Sequence, residues 1–149
     1  MGIGDLGTCY LAERELGSFV EVFRDVNPIP QYEIEERITS TYSVGRGMVL
    51  ADCTNREARG FGVTGAMHST EDYPKTQAWA AAFQAAGFDG VRYFVSHDPA
   101  QELIGVALFG RSETTRAPYE RISPQVLEEA ERLFGLRVLP SAGAAKLTR

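Results

Sequence analysis

Three polar residues of this 149-residue chain stand where short strands should end or be followed: Tyr10, Glu21 and Ser96. Each also has an ordinary structural reading. Tyrosine is intermediate in burial and fits a half-buried core position, while a glutamate is seldom buried and reads first as a solvated carboxylate. Serine is at home where a strand turns. Sequence alone leaves open whether the three converge on one site or serve the fold separately.

Other chemistries have less to build on. His68 and His97 are the only histidines, they lie far apart, and neither falls in an HExxH or Cys/His cluster, so no metal site is expected. Cys9 paired in space with either histidine would make a nucleophile. It lies within an apolar strand, however, where a thiol is usually inert, and both Cys9 and Cys53 are expected as small core residues. No GxGxxG or GxxxxGKS/T segment supplies a phosphate-cradling loop, which disfavours Rossmann and P-loop folds. Glu33, Glu35, Glu36 and Arg37 read as a solvated edge or loop, and Glu128, Glu129, Glu131 and Arg132 as the outer face of the last helix.

Fifteen basic against twenty acidic residues give a net charge of -5, so the chain lacks the electrostatic footprint of a phosphate-backbone binder and no direct nucleic-acid contact is expected. Two isolated cysteines, without CxxC and without a secretory leader, fit a reduced cytoplasm. No apolar run approaches the roughly 20 residues that span a bilayer, so no membrane role is expected.

The elements that must position these residues follow from periodicity. Thr8 to Ala12 has strand composition, and Leu16, Phe19, Val20 and Phe23 recur at helical spacing, predicting a helix from about Glu13 to Arg24. Asn27-Pro28-Ile29-Pro30 stops it, because proline lacks the amide proton and disfavours helix in the residue before it. Glu21 lies about 140° around that helix from Leu16, off the apolar face. Gly17, one turn earlier on the same side, costs about 1 kcal/mol of helix propensity relative to alanine. It either leaves open space beside Glu21 or marks close helix packing.

From Tyr32 to Cys53, Ile34, Ile38, Tyr42, Val44 and Met48 to Ala51 suggest a hairpin or two adjacent strands broken at Gly45-Arg46-Gly47. A capped turn is expected at Arg56 to Arg59, then an irregular connection from Val63 to Asp72. Tyr73-Pro74 opens a helix with an Ala78, Trp79, Ala82, Phe83, Ala86 stripe, ended by Gly87. Val91 to Val95 is a strand that delivers Ser96 at its C-terminal end, and Pro99 obliges the chain to leave the ladder. Leu103 to Phe109 reads as a strand buried on both faces, and Gly110 to Pro118 as a loop. Ser123-Pro124 caps a last helix with Val126, Leu127, Ala130, Leu133 and Phe134 inward, closed by Gly135. The order predicts one α+β domain, helices packed on a mixed or antiparallel sheet.

The run Gly7 to Glu13 (GTCYLAE), with Phe19 to Arg24 (FVEVFR), resembles the first conserved block of the RES-domain family, named for its Arg, Glu and Ser. Tyr73 to Ala80 (YPKTQAWA), Gly87 to Tyr93 (GFDGVRY), Ser96 and Val106 to Phe109 (VALF) are similar to the second block. The likeness runs over about residues 4–110. It implies an ADP-ribosyltransferase-like fold over residues 1–140, with the block upstream of Tyr10 missing and a flexible tail at 141–149. It also implies NAD as substrate, cleaved between nicotinamide and ribose by hydrolysis or phosphorolysis, with ADP-ribosyl transfer as a related outcome. The family context further implies the toxin of a toxin–antitoxin pair in the cytoplasm, an antitoxin partner with a helix-turn-helix domain, and a homodimer.

Residue by residue, Glu21 matches the family glutamate, Ser96 the serine and Tyr10 the tyrosine that lines the nicotinamide pocket. A carboxylate beside the ribose would stabilise an oxocarbenium-like transition state, and Glu21 is the only one of the three able to supply it. Ser96 would hydrogen-bond the nicotinamide amide or the ribose, and Tyr10 would stack on nicotinamide. Two positions depart from the pattern. The family arginine lies upstream of the tyrosine, and Met1 to Cys9 contains none, while Arg14 and Arg24 come after it. His97 stands where many members have arginine. Both changes remove positive charge suited to a pyrophosphate, which histidine does not replace equivalently. The rival reading is therefore a RES-like binding or regulatory module that has lost catalysis.

Overall fold

A computed structural model describes residues 6–43, 47–63, 73–111 and 117–140. In chain order the elements are β1 (Leu6–Ala12), α1 (Glu15–Phe23), β2 (Ile29–Pro30), α2 (Gln31–Glu35), β3 (Ile38–Ser40), β4 (Leu50–Asp52), a 3-10 helix (Arg56–Phe61), α3 (Tyr73–Ala85), β5 (Gly90–Phe94), β6 (Ile104–Arg111), β7 (Tyr119–Arg121), α4 (Pro124–Phe134) and β8 (Val138–Leu139). This is the α+β content the sequence predicts. It falls into two compact units, one of Met1–Ser18 with Ser43–Thr115, the other of Phe19–Tyr42 with Arg116–Arg149.

The first unit holds a four-stranded sheet of order β1-β6-β5-β4. β6 is antiparallel to both β1 and β5, and β4 runs parallel to β5, so the sheet is mixed. Because side chains alternate across a strand, each rung of partners shares a face. Tyr10, Ala107, Val91 and Ala51 make one rung, and Leu11, Val106, Arg92 and Asp52 make the next, on the opposite face. The first of these faces carries the core: Ala51, Cys53, Val63 and Val91 are buried, with Trp79, Phe83, Phe88 and Phe109 packed against them. Trp79 and Phe83 of α3 stack with ring centroids 5.5 Å apart. Ala78, Ala82 and Ala86, expected on the same stripe, are exposed, and Trp79 and Phe83 make the contact of α3 with the core.

Three expectations for this unit change. β6 is not buried on both faces: Gly105 and Ala107 are buried, whereas Ile104, Val106 and Leu108 are only half-buried, because α3 covers one face of the sheet. Cys9 is exposed rather than in the core, since β1 is an edge strand paired with β6 alone among the described residues. The hairpin expected between Tyr32 and Cys53 does not form. Residues 31–35 are helical and β3 pairs with β7, all in the second unit, whereas β4 pairs with β5 in the sheet of the first. The connection expected from Val63 to Asp72 lies, after Val63, outside the described residues.

In the second unit Phe19, Val20 and Phe23 of α1 are buried, as their spacing predicts, together with Ile29, Val126, Ala130 and Leu136. α4 has both of its expected ends. Ser123 Oγ accepts the Val126 amide at 3.3 Å, Pro124 occupies the first turn, and Gly135 closes the helix at φ 65°. β2 pairs in parallel with β8, and Asn27 ties the same regions by donating to the Gly135 carbonyl at 3.1 Å. The tail 141–149 lies outside the described residues.

Candidate functional site

Ser96 is placed by the end of β5. Val95, 1% exposed, extends the ladder by donating its amide to the Leu103 carbonyl at 2.9 Å, and Ser96 follows as a half-buried turn residue. The loop that leaves and re-enters the sheet between Val95 and Leu103 is organised by Asp98, which sequence reasoning passed over. Its carboxylate is buried and accepts three backbone amides, those of Ala100 at 3.1 Å, Glu102 at 2.7 Å and Leu103 at 2.8 Å. The sequence signal was there in the Asp-Pro pair, since an aspartate before a turn caps the amides that follow it.

Tyr10 is 67% exposed, so it is not the half-buried core aromatic of its ordinary reading. It shares the rung of Ala107 and Val91. Val95 is four residues beyond Val91, on the order of 13 Å along the strand, so the sheet holds Tyr10 and Ser96 well apart at the backbone. Glu21 belongs to the second unit and is half-buried on α1.

Gly17 resolves one open alternative. A Cβ there would meet the Ala12 Cβ at 3.0 Å, with Val95 Cγ2 at 3.8 Å and the Ile104 carbonyl oxygen at 3.9 Å. The glycine marks close packing of the start of α1 on β1, not open space for a ligand.

Among the described residues of the first unit, periodicity did not reveal a polar cluster built around Arg92. Arg92 on β5 donates from Nε to Glu13 Oε1 at 2.7 Å and from Nη2 to Glu13 Oε2 at 3.3 Å. Its Nη1 reaches Thr54 Oγ1 at 2.9 Å and lies 3.5 Å from Asp52 Oδ1. Thr54 in turn gives both its hydroxyl, at 2.5 Å, and its amide, at 3.0 Å, to Asp52 Oδ1. The hydrogen bond to Glu13, opposed by partial burial and helped by the charges of Glu13 and Asp52, raises the Arg92 guanidinium above its ordinary value. Partial burial alone would raise Asp52, but the Thr54 bonds and the neighbouring guanidinium outweigh it and hold the carboxyl below its ordinary value. These groups sit beside an open groove of about 260 Å³ lined by Leu11, Met48, Leu50, Val106 and Leu108 on the half-covered face of the sheet.

Arg92 faces away from the Tyr10 side of the sheet, and its charge is already met by two carboxylates. It does not stand in for an arginine beside Tyr10. Arg24 pairs with Asp25 at 3.4 Å. Cys53, next to Asp52, is pushed up to about 11 by burial, with the Asp52 charge adding to the effect, so it is no nucleophile at neutral pH. His97 is exposed, and His68 lies outside the described residues. Among the described residues no group of three His, Cys, Asp or Glu side chains could hold a metal ion, and no helix is long and apolar enough to cross a membrane.

Neither the curated proteins nor the solved structures contain a match to this chain. The model of one protein family, the RES domain, matches residues 2–127, a stretch that includes β1 with Tyr10, α1 with Glu21 and the Ser96 turn. The chain belongs to the RES-domain family.

Proposed function

We propose that this chain consumes NAD, cleaving the bond between nicotinamide and ribose, and that it acts as the toxin of a toxin–antitoxin pair. The family match over residues 2–127 carries this reading, and the resemblance of the Tyr10, Glu21 and Ser96 segments to the family's blocks names the residues that would serve it. In it the C–N bond to nicotinamide breaks and nicotinamide leaves with the electron pair. Water, or phosphate, then adds to the anomeric carbon and gives up a proton. Glu21 stabilises the positive charge that develops on the ribose, the term that contributes most to such a reaction. The exposed Tyr10 ring offers a flat surface for nicotinamide, and the Ser96 hydroxyl a hydrogen bond to its amide or to the ribose. NAD is a substrate in this scheme and no metal enters it. The same family context suggests an ADP-ribosyltransferase-like fold, a cytoplasmic setting, a helix-turn-helix antitoxin partner and a homodimer.

Purified protein incubated with NAD should release nicotinamide, and Glu21→Gln should lower the rate at least a hundredfold. Absence of release by the wild type, or an undiminished rate in the variant, would overturn the enzyme reading.

A second reading is favoured by the engagement of Arg92 with Glu13 and Asp52, which leaves that guanidinium committed away from Tyr10. The domain would then bind a nucleotide or a protein without turning it over. Titration calorimetry separates the two, since heat of NAD binding without nicotinamide release belongs to the second alone.

A further inference from the structure

The Ser96 turn is fixed by more than its place after β5. Between Val95 and Leu103, both almost fully buried, the chain makes a loop closed at its base by the 2.9 Å bond from the Val95 amide to the Leu103 carbonyl. Inside it the Asp98 amide donates to the Val95 carbonyl at 3.1 Å, and the Gln101 amide to the Asp98 carbonyl at 3.0 Å. The Asp98 side chain, 6% exposed, then gathers the amides of Ala100, Glu102 and Leu103. A carboxylate taken out of water is costly unless it is hydrogen-bonded, and bonds of 2.7 and 2.8 Å to its Oδ2 are of the short, charge-assisted kind.

One residue of this loop is held in an unfavourable conformation. Gln101 has φ 55°, the left-handed region that a side chain other than glycine seldom adopts. Such a conformation persists when the surroundings over-determine it, and here the residues on both sides of Gln101 are bonded to the same carboxylate. The turn that carries Ser96, two positions before Asp98, is thereby tied at Val95 on one side and at Asp98 on the other, and Asp98 is tied in turn to the start of the next strand at Leu103.

We propose that Asp98 is a positioning residue whose buried carboxylate fixes the turn that presents Ser96; the proposal rests on the reading of Ser96 as a substrate-contacting hydroxyl. The discriminating variant is Asp98→Asn. It keeps the size but sets an NH2 group or a weaker oxygen against amides that now face a carboxylate. Asp98→Ser, whose hydroxyl can keep only the nearest amide, carries the test should the asparagine variant not fold.

The experiment is a double-mutant cycle on nicotinamide release with Ser96→Ala. Asp98→Asn should lower kcat about tenfold with KM within twofold of wild type, and should cost nothing more when Ser96 is already alanine. Amide exchange at Glu102 and Leu103 should quicken at least tenfold while protection of β6 is kept. Losses that multiply in the double variant, or Asp98→Asn within twofold of wild type beside a slowed Ser96→Ala, overturn the role of Asp98 alone. Ser96→Ala at the wild-type rate instead defeats the reading of Ser96, and the proposal with it. If the wild type binds NAD without turnover, the same variants are compared by affinity, and equal affinity in wild type and Asp98→Asn overturns the proposal. If it neither turns over nor binds NAD, Ser96 has no substrate contact to position, and the proposal falls with the reading.

Discussion

Arg92 and Glu13, 79 residues apart in sequence, meet through two hydrogen bonds of 2.7 and 3.3 Å and so bridge β5 to the residue that follows β1, with β6 running between them. The fork geometry of the guanidinium allows this pairing while Nη1 still serves Thr54 and Asp52 from β4 and the segment after it. One side chain on β5 thereby reaches the residue after β1 on one side and β4 with its following segment on the other, across the half-covered face of the sheet.

Replacing Arg92 with methionine should destabilise the protein by about 1 kcal/mol, and lysine should recover less than half of that. The cluster is one-third to one-half exposed, so solvent screening keeps the figure modest. Lysine restores charge without the bidentate fork. Urea denaturation gives the comparison, and a methionine variant as stable as wild type would show the cluster to be energetically silent.

Asp52 sets a pH dependence of known sign. Its folded-state value lies below the ordinary 3.8, so its stabilising effect is complete above the unfolded value and is lost as pH falls through the folded one. Between about pH 6 and about pH 3 the wild type should lose more stability than Asp52→Asn, by less than about 1 kcal/mol given its exposure. Denaturation midpoints across that range decide it, and parallel curves for the two proteins would contradict the assignment.

The two thiols should behave differently. At about pH 8 a thiol reagent should label exposed Cys9 quickly and reach buried Cys53 only on unfolding, with Cys9→Ser abolishing the fast phase. Because the folded Cys53 value is raised from 9.0 to about 11, the unfolded chain releases its proton first as pH rises. Stability should therefore decline between these two values, and less so in Cys53→Ala. Two thiols labelled at one rate in the native protein would refute the burial.

Among the described residues, Gly90 should be the glycine least able to accept a side chain. A Cβ there would lie 2.3 Å from the Ala107 carbonyl oxygen and 3.1 Å from the Leu108 Cα, both backbone atoms that cannot rotate away. Gly90→Ala should cost at least about 3 kcal/mol or prevent folding, in the range of severe overpacking. Gly110, where a Cβ would meet nothing within 4 Å, supplies the control: Gly110→Ala should fall within about 1 kcal/mol of wild type. Thermal unfolding of the two variants makes the comparison, and similar melting temperatures would defeat it.

The helices were legible because their signals are local. Leu16, Phe19, Val20 and Phe23 announce α1 by spacing, and Ser123, Pro124 and Gly135 announce α4 by its ends. Short strands were less legible. β7 is Tyr119-Glu120-Arg121, with no apolar alternation to find, and β3 takes its partner from about 80 residues away, Ile38 opposite Arg121 and Ser40 opposite Tyr119, where a hairpin looked simpler. At the candidate site, the place of Ser96 after β5 followed from element order, and that of Glu21 on α1 from helical spacing. The Arg92 cluster did not, because Glu13, Asp52 and Thr54 become its neighbours only through a sheet order that sequence does not display.

The pairing of β1 with β6, from Leu6 opposite Arg111 to Ala12 opposite Gly105, also sets a timetable. β1 leaves the ribosome well before β6, its only strand partner among the described residues, which lies about 100 residues downstream and follows on the order of 5–20 s later at ordinary rates of synthesis. Until then no ladder holds it, and non-local pairing of this kind is slow even in the finished chain. The strand that carries Tyr10 waits for its ladder until everything from α1 to β5 has been made.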